Sequence, residues 1–271
     1  MYKDMSLRRT LAIVLRQIYL IRGSFPRVFP LFAWAAVDMI LWGFLTKYLN
    51  NVTSSGFNFV PVLLGAVLLW DFFIRIMQGV AMAFFEDVWS RNFLNIFATP
   101  LLISEYVAGL VLTSIMTSMV GLTAMLLIAV AVFKLSFLVY GLTAIPFLMV
   151  LFMFGVALGV FGSALVLRFG PASEWFIWPI PALVSPFVGV LYPVSVLPQW
   201  MQTASRIFPP TYVFEELRVI VSGGTASWTA LAWSVCLAVL YVLAAYWFFV
   251  RIYRHALRTG LISRYSAENL G

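Results

Sequence analysis

Three ionisable residues stand where ionisable residues are rare. Asp71 and Arg75 fall four residues apart inside an apolar run at 59–84, and Asp38 falls inside another at 28–49. At 100° per residue, Asp71, Arg75, Gln78 and Met82 share one narrow helical stripe. Trp34 and Trp42 flank Asp38 on its own face. Two carboxylates beside a guanidinium can lock helix register as a buried ion cluster or line a polar path through a membrane. Two carboxylates alone could perform acid–base work. A charge at mid-bilayer costs at least about 2.5–3.5 kcal/mol, so this stripe must face protein or water. Asp38 lies about ten residues from the start of its run and Arg75 about nine from the end of the next, so at equal rise per residue an antiparallel hairpin brings Asp38, Asp71 and Arg75 to one depth.

The other chemistry-bearing stretch is 83–100, AFFEDVWSRNFLNIFATP, with Ser104 and Glu105 just beyond. It is short, amphipathic and charged, and it separates two long apolar runs. Such a segment at a membrane surface is suited to hold a protein partner. Much familiar chemistry has no residues to carry it. The sequence contains no G-x-x-x-x-G-K-[ST], so the chain does not bind ATP through a P-loop. His255 is the sole histidine and sits in a basic tail, which argues against a Ser-His protease or a histidine-ligated metal. Cys236 is the sole cysteine, so an intrachain disulfide and a cysteine metal cluster are both excluded.

The elements that must position these residues are membrane helices. Charged residues make up 10% and hydrophobic residues 63% of the 271. A soluble domain carries about 25% charged residues. Mean hydropathy is +1.00. The expected fold is all-α and polytopic, a single domain over 1–271 with six transmembrane helices. Residues 4–24 read as an interfacial amphipathic helix, with Leu7, Leu11, Val14, Leu15, Ile18 and Ile21 at helical spacing among four arginines. Spans follow at about 28–49, 59–84, 104–133 and 137–167, a fifth starts near Trp175, and a sixth covers 227–250. Pro179, Pro181, Pro186 and Pro193 preclude a straight fifth span. Residues 251–271 form a basic cytoplasmic tail. With the N-terminus inside, twelve Lys and Arg fall on the cytoplasmic side and four outside, with Arg75 in a span; both termini are expected inside. The net charge of +7 is accounted for by this asymmetry, and no nucleic-acid partner is expected. Gly155-x-x-x-Gly159 reads as a close helix contact.

In this order and spacing the features resemble the membrane subunit (permease) of ABC-2 type transporters, a group that includes polysaccharide and drug exporters. The basic helix before span 1 carries part of the likeness. A second part is Phe85-Glu86-Asp87-x-x-x-Arg91-x-x-x-Asn95-x-x-x-Thr99-Pro100-x-x-x-x-Glu105, similar to the family's coupling helix, here 85–100. The third is Tyr192-Pro193-Val194-Ser195-x-Leu197-Pro198-x-Trp200 followed by Pro209-Pro210-Thr211-Tyr212-x-x-Glu215-x-x-Arg218, similar to paired re-entrant outer helices over 194–224. The resemblance implies a bacterial inner-membrane exporter subunit, not itself an enzyme, that pairs with a second permease copy and two ATPase subunits. It binds no cofactor; ATP and Mg sit on the partner. Phe85, Glu86, Asp87, Arg91 and Phe93 would meet the ATPase, and differential contact in its two states would move the membrane part. Trp34, Trp42, Phe72 and Phe73 are candidates to line a path for a glycan, lipid or amphiphilic drug. Pro198, Trp200, Glu215 and Arg218 mark the outer region. The competing readings are a secondary carrier or channel without an ATPase, and an intramembrane enzyme using Asp38 and Asp71.

Overall fold

The computed structural model describes residues 5–52, 60–90, 92–135 and 140–260. These are 85% helical and include no strand. Five helical stretches are long and apolar enough to cross a membrane. They are α2 (Phe25–Val52), Val60–Trp89, which is a π-helical turn leading into α3 (Gly65–Trp89), then α5 (Ile103–Phe133), α6 (Ala144–Phe169) and α11 (Trp228–Thr259). The chain is a multi-pass helical membrane protein. Arg91 and the tail beyond residue 260 lie outside the described residues.

α3 and α6 form the centre, and α2, α5 and α11 stand around them with broad exposed apolar faces. Small residues make the central contact. A Cβ at Gly155 would stand 3.1 Å from Ile76 Cβ, and one at Gly159 only 2.7 Å from the Met77 carbonyl oxygen. Phe73 stacks on Phe154 with ring centroids 5.5 Å apart beside this contact. In lipid such approach supplies the dispersion energy that burial supplies in water. A backbone carbonyl cannot step aside, so Gly159→Leu is expected to lower stability by about 1–3 kcal/mol, read as a lower unfolding midpoint in detergent. Gly162→Ala meets Ile177 side-chain carbons at 3.2–3.4 Å, which need give only a few tenths of an ångström, and should unfold near wild type. Equal midpoints for both variants would mean that α3 and α6 are not close-packed here.

α1 (Leu7–Arg22) buries Thr10, Ile13, Val14 and Gln17, chiefly against α5. Gly109 on α5 admits it, since a Cβ there would sit 2.7 Å from Ile13. Leu7, Leu11, Leu15 and Tyr19, each four residues apart, remain exposed as one apolar stripe, the pattern of a helix lying in a membrane interface.

One expected element comes out differently, and the break expected in the fifth span is present. The helix expected over 85–100 is not one helix. α3 continues without a breaker through Trp89, the chain turns at Ser90, and α4 (Phe93–Phe97) is a separate short turn of helix. The fifth span is broken into α7 (Glu174–Ile177) and α8 (Ile180–Val188). Pro179 starts α8, Pro186 lies inside it, and Gly189 (φ +65°) ends it. The apolar stretch Trp175–Val188 is too short, at 1.5 Å per residue, to cross a hydrocarbon layer of about 30 Å. α9 (Gln199–Ser205) and α10 (Pro209–Val221) follow as a helical pair.

The ends of the bundle can be matched by contacts. Phe249 meets Phe84 at 5.9 Å and Tyr253 meets Phe97 at 5.3 Å, so α11 ends where α3 ends. At the other end, Ala226 and Trp228 share a cleft with Pro146 and Phe147. α6 and α11 therefore start side by side and run parallel, and residues 170–227 carry the chain back along the bundle between them.

Candidate functional site

At the end of the bundle where α3 turns into α5, each described acid is held by an arginine from the N-terminal elements. Arg27, in the first turn of α2, pairs with Glu86. Arg16 pairs with Asp87, whose other oxygen accepts a 2.7 Å hydrogen bond from the Tyr106 hydroxyl. Arg9 reaches Glu105 through Nε (2.9 Å) and Nη2 (2.7 Å), and its Nη1 donates to the Pro100 carbonyl at 2.8 Å. Glu105 also accepts from the Ser6 and Leu102 amides at 2.6 and 2.8 Å, the second bond capping the start of α5. Asp87 and Glu105 are 0% exposed. Burial alone would lower the Arg16 guanidinium, but the hydrogen bond and charge of Asp87 raise it above its ordinary value, so the guanidinium stays charged at any physiological pH.

Of the residues expected to meet a partner, Phe85, Asp87 and Phe93 are buried in the bundle. Phe93 lies against the rings of Phe84, Phe97 and Tyr106. Glu86 is partly open but already paired. Among the described side chains at this turn, Trp89, Ser90, Asn95, Ala98, Thr99 and Pro100 are exposed. Sequence reasoning missed Arg9, Arg16, Arg27 and Tyr106. The available signal was the excess of arginines before residue 28 matching acids 86, 87 and 105.

A second polar constellation sits near the middle of α3. Arg75 forms an ion pair with Asp71 one turn away, both side chains mostly buried. Asp38, from α2, comes close to both Asp71 and Arg75. Gly121 of α5 makes room for the guanidinium, since a Cβ there would lie 3.1 Å from Arg75 Cδ. Three helices thus meet at one cluster. The aromatic residues expected to line a path divide. Trp34 is exposed and Trp42 half-buried, both on α2, but Phe72 and Phe73 are buried core residues. Phe73 is held between Trp70 (4.7 Å) and Phe154. Phe73 belongs to the face of α3, with Ile76, Met77 and Val80, that meets the glycines of α6.

Glu215 and Arg218 act as a staple. Arg218 donates to Glu215 at 2.8 Å, to the Gly189 carbonyl and, at 3.1 Å, to Val190. Glu215 also accepts from the Val194 amide at 2.9 Å. Burial pushes the Arg218 guanidinium below its ordinary value, and the Glu215 carboxylate opposes that. The pair ties the turn after α8 to α10. Pro198 and Trp200 are exposed, and Trp200 touches Phe187 edge-on at 6.2 Å.

No protein-family model matches this chain, and a search of curated proteins finds no significant match.

Proposed function

We propose that this chain is the permease subunit of an ABC-2 type transporter, moving a glycan, lipid or amphiphilic drug outward while ATP and Mg are handled by separate ATPase subunits. Two ATPases and a second permease copy complete the assembly in a bacterial inner membrane. One observation carries the reading: ion pairs Arg9–Glu105, Arg16–Asp87 and Arg27–Glu86 join α1 and α2 to α3 and α5 around a small exposed edge. A push on Trp89, Asn95 or Thr99 is thereby delivered to α1, α2, α3 and α5 together. The clamped acids are then positioning residues, and the exposed edge is the contact. The return of residues 170–227 along the bundle supports a sixth, broken crossing, with both termini on the cytoplasmic side.

The test is to purify the tagged chain in mild detergent and assay ATPase activity in the eluate. Wild type is expected to carry an ATPase. Trp89→Asp/Asn95→Ala is expected to lose at least about thirtyfold of it, the effect of losing an interface hot spot worth about 2 kcal/mol. Folded protein free of ATPase would sink the proposal. It would favour a carrier without an ATPase built on Asp38, Asp71 and Arg75.

A further inference from the structure

α11 continues past the apolar layer as a basic ridge. At 100° per residue, Trp247, Arg251, Arg254, His255 and Arg258 fall within an arc of about 100°. All five are exposed. The buried residues of the same helix end, Ala245, Phe249, Ile252 and Ala256, lie on the opposite side. The ridge therefore points away from the bundle. One turn and two turns before Trp247, the same face carries exposed Leu243 and Leu240. Read along the helix, one outward face passes from leucine to tryptophan to arginine. That is the order of hydrocarbon, interface and headgroup in a lipid leaflet.

The arginines also shape a site. Trp247, Val250, Arg251, Arg254, His255 and Arg258 line a groove of about 440 Å³. The Arg251 guanidinium lies over the Trp247 ring, 5.5 Å from its centre, which holds the cation at the depth of the indole. Among the described residues, no acid pairs with Arg251, Arg254 or Arg258. The described acids at this end of the bundle, Glu86, Asp87 and Glu105, are taken by Arg27, Arg16 and Arg9. Three guanidinium groups on one face match the fork geometry that phosphate oxygens accept.

The geometry points to a binding site for one anionic phospholipid: its phosphodiester between Arg251, Arg254 and Arg258, its acyl chains along Leu243 and Leu240. The occupant is a membrane lipid because the cationic groove opens without interruption onto a lipid-facing apolar stripe. This rests on the chain spanning a membrane and not on its having an ATPase.

Native mass spectrometry of the full chain in neutral detergent tests it, with phosphatidylglycerol and phosphatidylcholine of matched chains as probes. Wild type should retain phosphatidylglycerol in preference to phosphatidylcholine. Arg251→Gln/Arg254→Gln/Arg258→Gln should weaken phosphatidylglycerol on the order of a hundredfold, about fivefold for each arginine removed. The triple lysine variant should keep most of it. Arg8→Gln/Arg22→Gln/Arg206→Gln removes the same charge elsewhere and should bind like wild type. Unfolding midpoints check that all variants fold; the ridge is exposed, so none should fall. Equal retention of the two lipids, or equal loss in the control triple, would overturn the site. So would displacement by millimolar inorganic phosphate, which would mark a soluble anion. Loss of a co-purifying protein with lipid retention unchanged would assign the ridge to a protein partner instead.

Discussion

Asp87→Ala is expected to cost about 3 kcal/mol of stability, more than any other single change at the α3–α5 turn. The side chain is fully buried and serves two partners, the Arg16 guanidinium and the Tyr106 hydroxyl. Removing it strands a cation whose side chain is only 26% exposed and a phenol with no exposure at all. Half of the penalty belongs to the groups left behind, so the double variant Asp87→Ala/Arg16→Met should recover part of the loss. A double-mutant cycle on unfolding midpoints measures this coupling, and simple additivity would show that the pair contributes nothing. The functional readout separates positioning from contact. If Asp87 positions the turn, the variant still co-purifies with ATPase, because Trp89 and Asn95 remain exposed, but hydrolysis no longer drives transport. Loss of the ATPase from folded Asp87→Ala protein, as complete as from the Trp89 variant, would return Asp87 to the contact surface.

The part of this arrangement legible in the sequence is the part governed by periodicity and depth. The meeting of Asp38, Asp71 and Arg75 needed only 3.6 residues per turn and two antiparallel runs of similar length. α1 was legible because polar and apolar residues alternate sharply along it. The inward turn of Phe85 and Phe93 was not legible. Phe85, Trp89, Phe93 and Phe97 stand four residues apart, so periodicity gathers them on one stripe but does not say whether that stripe faces the bundle or a partner; the reach of Arg16 and the ring of Tyr106 do. Phe72 and Phe73 were ambiguous for a different reason. A residue facing lipid and one facing the core are equally apolar, so composition does not tell them apart. For Phe73 the discriminating signal was on another helix, in Gly155 and Gly159, whose missing side chains are filled by the Phe73, Ile76, Met77 and Val80 face of α3. The broken fifth span was signalled by its prolines, but its shortness was set by where Gly189 turns and by the Arg218 staple, both of which depend on tertiary contacts.

Arg75→Gln carries the other large expected effect, about 3–5 kcal/mol, because it leaves two carboxyl groups facing one another in the interior of a membrane bundle with no cation. Truncating the cation costs more than truncating one acid. Asp71→Asn leaves Arg75 with Asp38, so its loss should be the smaller. The order of the two midpoints is therefore diagnostic: Asp71→Asn should unfold closer to wild type than Arg75→Gln, and the double variant Arg75→Gln/Asp71→Asn should recover stability over Arg75→Gln alone. Charge reversal sharpens the test. Arg75→Asp should be rescued at least in part by Asp71→Arg, which restores an ion pair one turn apart, or by Asp38→Arg across the α2–α3 contact. Failure of both rescues would sink the pairing. Gly121→Leu probes the same cluster from α5, where the new side chain would press on the guanidinium. If it destabilises wild type but not Arg75→Ala, the glycine is there for the arginine, and the cluster is a three-helix joint whose strength sets how α2, α3 and α5 move together.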